Sequence, residues 1–218
     1  MFSELVESLR CVRAHEPTGL VAVAYETVER DILRGSLGCA TCGAEYPIAA
    51  GVADLRDGAA GAAPPPAKTR PADELAVRAG ALLGLADPHG LVVLAGAWAA
   101  AAPELAAIAE PVRVLALDAP AGIASGAGVS LARAAGEIPL RAGSARGIAL
   151  DAPHADARTL ASAVLALAPR GRLVAPVTCG VPAGITELAR DSRDWVGEKQ
   201  GSTPVVTIER RQRPGSAP

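Results

Sequence analysis

Cys11, His15, Cys39 and Cys42 are the residue types and spacings in this 218-residue chain best suited to holding a metal. A structural zinc site takes four ligands at tetrahedral geometry, as thiolates or neutral imidazoles drawn from two short turns. Cys39-Ala-Thr-Cys42 supplies one such turn, with Gly43 leaving the backbone room to curl. Cys11-Val-Arg-Ala-His15 offers a thiolate and, four residues on, an imidazole. Zinc on these four residues is the expectation. Two other readings stay open: a fold whose thiols are buried without metal, and a redox pair at the C-x-x-C, which lacks a surrounding βαβ unit.

A second group lies further along. The apolar run Leu91 to Ala95 leads into Gly96-Ala97-Trp98, and a second run, Val112 to Leu117, ends in Asp118. In α/β folds a glycine-rich turn after the first strand lets the backbone approach a cofactor, and an acid ending the second strand holds ribose hydroxyls. Here Ala and Trp stand where further glycines would, and Trp98 is large enough to fill a pocket. Plainer roles exist for each residue. Asp118 can cap its own turn, Asp151 can be the N-cap of the next helix, and Trp98 can be core. His89 reads as a turn residue, His154 as a surface residue, Cys179 as packing, and Asp191 to Trp195 as a solvated helix face with one aromatic anchor.

Composition narrows what these groups can serve. Half the residues are hydrophobic but only 2% aromatic, so the core is built from Ala, Val, Leu and Ile. A formal charge of −2 argues against a basic surface, and nucleic acid is not expected as a direct high-affinity partner. Met1-Phe-Ser-Glu-Leu-Val-Glu is acidic and amphipathic, not a leader, and no apolar run is long enough to span a bilayer. A soluble cytoplasmic protein with no membrane association is the expectation. Four cysteines in a chain of this size do not suggest a disulfide scaffold.

The elements that must position the two groups differ in kind. Residues 1–56 offer a short helical turn (Ser3 to Leu9) and strands over Leu20 to Tyr25 and Asp31 to Cys39. So few large apolar residues need a metal or a neighbouring domain to hold them. Residues 57–72 are rich in Pro, Ala and Gly and read as a linker. Residues 73–210 alternate strand and helix patterns. The helices fall near 73–85, 103–109 and 155–167. The strands fall near 90–96, 112–118, 129–132, 147–151 and 171–177, with a further edge strand over Pro204 to Glu209. Such alternation predicts an α/β fold with a doubly wound, largely parallel sheet. The tail, 211–218, has nothing to bury.

Two resemblances follow from these residues. Leu9, Cys11, Gly35-Ser-Leu37-Gly-Cys39-x-x-Cys42-Gly and Tyr46-Pro47-Ile48-x-x-Gly51-Val52-x-x-Leu55 resemble the small zinc ribbon that activates tRNA and release-factor methyltransferases, although Val12 and Ala14 replace the Pro and second Cys of its first turn. Strand 91–96, Asp118, Ala135-Gly-Glu137-Ile138-Pro139-Leu, Asp151 and Leu165-Ala-Leu-Ala-Pro169-Arg-Gly171-Arg-Leu173-Val174 resemble, in order, the class I S-adenosylmethionine-dependent methyltransferases. The second resemblance implies a Rossmann-like fold. It places the methionine end of S-adenosylmethionine at Gly96, Ala97 and Trp98, the ribose at Asp118 and the adenine at Glu137 and Ile138. Asp151 completes that set, with substrate entering near it and Cys179. The implied activity is methyl transfer to an unspecified substrate, weak or lost. The alternative is a non-catalytic relative that binds a protein partner through its zinc ribbon.

Overall fold

The computed structural model describes residues 1–56, 71–86, 89–134 and 136–201. The expected strand at Pro204 to Glu209, the tail and nearly all of the linker lie outside the described residues. From the linker stretch only Pro71 and Ala72 are described, and Ala72 opens the first helix.

The front segment begins with a 3-10 turn, Ser3–Ser8, and then forms an antiparallel meander. Its strands are β1 (Leu20–Val28), β2 (Asp31–Cys39), β3 (Glu45–Ala49) and β4 (Val52–Asp54). The tight β3–β4 connection needs positive φ at both central residues, which Ala50 (φ 49°) and Gly51 (φ 76°) supply. After α1 (Ala72–Leu83) come β5 (Leu91–Ala95), α2 (Ala102–Ile108), β6 (Arg113–Leu117), β7 (Val129–Arg133), β8 (Ala145–Ala149), α3 (Ala157–Ala166) and β9 (Leu167–Pro176). The strands β10 (Ile185–Arg190) and β11 (Asp194–Lys199) close the described chain.

All eleven described strands belong to one sheet, in the order β1-β2-β3-β4-β7-β6-β5-β8-β9-β11-β10. Strands β4, β7, β6, β5, β8 and β9 run parallel, and the rest pair antiparallel. The fold is therefore mixed α/β, with a large, partly parallel sheet. The strand order reverses between β5 and β8. In open α/β sheets such a reversal opens a crevice at the carboxyl ends of the strands.

Why β5 reads as an unbroken apolar run is now visible. Val92 and Leu94 face a core made with Leu75, Leu83 and Leu105 of α1 and α2. Leu91, Val93 and Ala95 face the other side, with Leu160 and Ala163 of α3. That second core also contains Met1, Leu5, Leu9, Leu37 and Tyr46, so the front segment packs on the sheet that carries the crevice. Arg10 ties the two parts together. Its backbone N–H donates to the Pro139 carbonyl at 3.0 Å and its Nε to the Leu140 carbonyl at 3.0 Å. Each fully buried Leu along this seam contributes on the order of 1.5–3 kcal/mol.

One expectation fails clearly. Asp191 to Trp195 is not a helix face but the turn and first strand residues of the β10–β11 hairpin. Asp191 Oδ1 accepts the N–H groups of Arg193 (2.8 Å) and Asp194 (2.9 Å), which closes the turn. Trp195 is fully buried and gives its indole N–H to the Cys179 carbonyl at 3.1 Å. No helix among the described residues is long and apolar enough to cross a membrane.

Candidate functional site

Strand β2 ends at Cys39, and the chain curls through Gly43 (φ 66°), whose N–H donates to the Cys39 carbonyl at 2.9 Å. This turn faces Cys11 and His15, on the segment before β1. The ligand atoms of Cys11, His15, Cys39 and Cys42 all lie within 4.8 Å of one another. Cys11 Sγ is 3.8 Å from Cys42 Sγ, and Cys39 Sγ is 3.5 Å from His15 Nε2. A tetrahedral zinc with Zn–S of about 2.3 Å and Zn–N of about 2.0–2.1 Å has edges of roughly 3.8 and 3.6 Å, which these two distances match. His15 Nδ1 sits 2.6 Å from the Glu16 carbonyl, which can only accept. In the neutral ring the proton therefore belongs on Nδ1, and Nε2 keeps its lone pair for the cluster.

Burial acts to raise the Cys11 pKa, but the Tyr46 hydroxyl and the Arg13 backbone outweigh it and hold the thiol below its usual value. Cys39 is likewise lowered, against burial, by the backbone of Cys42 and Thr41. Both shifts favour the thiolates a metal needs. These four residues could hold a metal ion, with Cys11 and Cys39 buried and Cys42 exposed.

The crevice is built differently. At the end of β5 the chain turns at Gly96 (φ 59°) into the 3-10 helix Gly96–Ala101. A Cβ at Gly96 would overlap the Asp151 carboxylate, whose Oδ2 accepts the Ala97 N–H at 2.7 Å. His154 lies between two acids, with Nδ1 2.5 Å from Asp151 Oδ1 and Nε2 3.3 Å from Asp118 Oδ2. The bonds to Asp118 and Asp151 outweigh desolvation and raise the His154 pKa to about 9. The imidazole is therefore a cation at neutral pH. Asp54 holds Arg56 nearby through its Nε at 2.8 Å, and Asp118 is a smaller contributor to the raised pKa of Arg56.

Gly96, Ala97, Asp118 and Asp151 thus converge at the carboxyl ends of β5, β6 and β8. Trp98 does not fill the crevice; it is 5% exposed and packs in the core under α1 and α2. Glu137 accepts from Arg10 (2.8 Å) and Arg158 (3.0 Å). Ile138 is buried, its N–H given to Ser162 Oγ at 2.8 Å. The N-cap of α3 is Asp156, not Asp151; its Oδ1 accepts the N–H groups of Arg158 (2.9 Å) and Thr159 (3.1 Å). Cys179 is half-buried and donates to the Pro176 carbonyl at 3.0 Å.

His154 is the residue sequence reasoning missed. Its spacing of three from Asp151 across Pro153 was the available signal, since a tight turn puts the two on one side. Its bond to Asp118 is long-range and had no local sign.

The Gly96 turn has a direct test. Gly96→Ala should cost about 2 kcal/mol in urea unfolding, from the positive φ and the displaced bond between Ala97 and Asp151. Unchanged stability would show that Asp151 does not sit over this turn.

No family model matches the sequence, and no curated protein matches it. Among solved structures the chain is similar to a protein described as a sarcosine dimethylglycine methyltransferase from Galdieria sulphuraria, at 18% identity and a TM-score of 0.37, over 47% of this chain and 45% of that one. It is also similar to a methyltransferase from Geobacter sulfurreducens, at 14% identity and a TM-score of 0.38, over 60% of this chain and 78% of that one. The chain spans less than half the length of the first.

Proposed function

We propose that this chain is a methyltransferase-like protein whose crevice takes S-adenosylmethionine weakly, and that zinc on Cys11, His15, Cys39 and Cys42 braces a zinc-ribbon-like front segment. The observation that carries the crevice reading is the strand reversal at β5 and β8, with the Gly96 turn and Asp118 ending adjacent parallel strands. There Asp118 would accept the ribose hydroxyls. The cofactor supplies an electrophilic methyl group on a sulfonium. Transfer from it can rest on positioning and exclusion of water, without a dedicated base.

Weak binding follows from His154. Its imidazolium already holds the Asp118 carboxylate, so a ribose must compete with it. Calorimetric titration with S-adenosylmethionine and S-adenosylhomocysteine should give a Kd of about 100 μM to 1 mM, in the range of ordinary KM values. Asp118→Ala should abolish the heat. No heat from the wild type at several millimolar ligand sinks the reading.

A second reading has its own observation. Strand β1 is an outer edge of the sheet, and Val21, Val23 and Tyr25 along it are 63%, 53% and 67% exposed. An edge strand with an apolar row can add a strand from another protein. In that case the front segment binds a protein partner and the α/β part is scaffold. A silent cofactor titration, together with a protein captured by wild type but not by Val23→Lys, would favour this reading.

A further inference from the structure

We infer that the cleft at the amino ends of β5, β8 and β9, opposite the cofactor crevice, binds a small phosphate-bearing anion through Arg146, Arg170 and Arg172. The cleft has a volume of about 630 Å³, and Ser144, His89 and Glu198 complete its polar lining. That volume lies in the usual range for small-molecule sites, about 300–1,000 Å³. Among the described lining residues the formal charges are three guanidinium groups against the single carboxylate of Glu198. On a chain of net charge −2 this is a local concentration of positive charge.

Two of the arginines are held in place by the last turn of α1. Arg172 Nη1 donates to the Leu82 carbonyl at 3.3 Å, and Arg146 Nη2 to the Gly84 carbonyl at 3.5 Å. Arg146 Nη1 also lies 2.9 Å from the His89 ring. A guanidinium has five N–H donors in a fixed fork, so one anchored this way still presents donors and loses little freedom when an anion arrives.

Arg170 is different. Among the described residues its guanidinium has no partner, and its backbone sits at φ 64°, where side chains other than glycine are disfavoured. The chain is held there by close packing. A Cβ at the next residue, Gly171, would lie 2.9 Å from the carbonyls of Ala168 and Arg146. That packing accounts for the positive φ, and the exposed guanidinium it carries stands at the mouth of a cleft lined by two anchored arginines. Three forks suit the several oxygens and double charge of a phosphate better than a lone carboxylate. A cleft of this size on an acidic protein suits a small molecule better than a nucleic acid, which needs an extended basic track.

Pyrophosphate is the probe, titrated by calorimetry at constant ionic strength. We expect saturation with a Kd of about 1 mM or tighter. Arg170→Gly should weaken it at least about tenfold while the thermal midpoint stays level or rises, because glycine relaxes the positive φ. Asp118→Ala should leave pyrophosphate affinity unchanged, which separates this cleft from the cofactor crevice. No saturation by about 10 mM, or equal affinity in Arg170→Gly, overturns the assignment. So does tighter, steeply salt-dependent binding of a single-stranded oligonucleotide at the same arginines, which would assign the cleft to nucleic acid.

Discussion

Stripping the metal with a chelator, or replacing Cys39 by Ser, should lower the unfolding midpoint by about 8–16 °C. An ion bound only by the folded state, at a free concentration about 1,000 times its Kd, stabilises by ~4 kcal/mol. In a chain of this size each kcal/mol moves the midpoint by roughly 2–4 °C. The structure says where that loss falls. Cys11 and Cys39 are 1% and 3% exposed, and Cys11 Sγ lies 3.2 Å from the Tyr46 hydroxyl in the same core. Without an ion, three thiols and an imidazole face one another there with nothing to draw them together. Hydrogen exchange should then rise first in β1, β2 and β3, while β5, β6 and β8 keep their protection, because those strands are covered on both faces by other groups. Cys179→Ser is the control and should change nothing, since that thiol lies outside the cluster and, among the described residues, bonds only the Pro176 carbonyl. Native mass spectrometry should find about one zinc per chain. A metal-free native protein with an unchanged midpoint would reduce the three front cysteines to packing.

The cluster was legible because residues able to hold a metal are recognised by local spacing: Cys39 and Cys42 share one turn, and Cys11 and His15 one short segment. That the two turns meet, with edges of 3.8 and 3.5 Å, depends on the meander between them. The buried parallel strands were legible for a related reason. Leu91 to Ala95 is apolar at every position because both faces are covered. What the sequence concealed is long-range pairing. Nothing local says that Val52 pairs with Leu131, which joins β4 to β7 and makes the front meander part of the main sheet. Nor does Glu137 announce that Arg10, 127 residues away, will take its carboxylate. The β10–β11 hairpin was hidden by its charges. Asp191 and Asp194 look like a solvated helix face until Arg78 of α1 is seen 2.7 Å from each.

Replacing His154 by Gln should cost about 2 kcal/mol near pH 6 and almost nothing above pH 9.5, and it should tighten S-adenosylmethionine about tenfold or more at pH 7. The imidazole pKa is raised to about 9 by Asp118 first and Asp151 second, against an unfolded value of about 6.5. A raised folded pKa means that the charged form favours folding. Its contribution is complete below about pH 6.5, declines across the window up to about 9, and is gone above it. The full shift corresponds to ~3.4 kcal/mol; the side chain is 23% exposed, and solvent screening brings this to about 2 kcal/mol. The same bond restrains the ligand. If Asp118 is free only when His154 lets go, the apparent Kd is the intrinsic one divided by the free fraction, and a bridge worth about 1.4 kcal/mol or more hides the site at least tenfold. Raising the pH from 7 to 9.5 should then tighten cofactor binding in the wild type but not in His154→Gln, while the wild type loses stability over the same range. Opposite trends of affinity and stability with pH are what a histidine placed over the ribose acid requires. Equal affinities in the two proteins at both pH values would mean that His154 and the ligand never compete, and that the Asp118–His154–Asp151 bridge serves only to close the carboxyl end of the sheet.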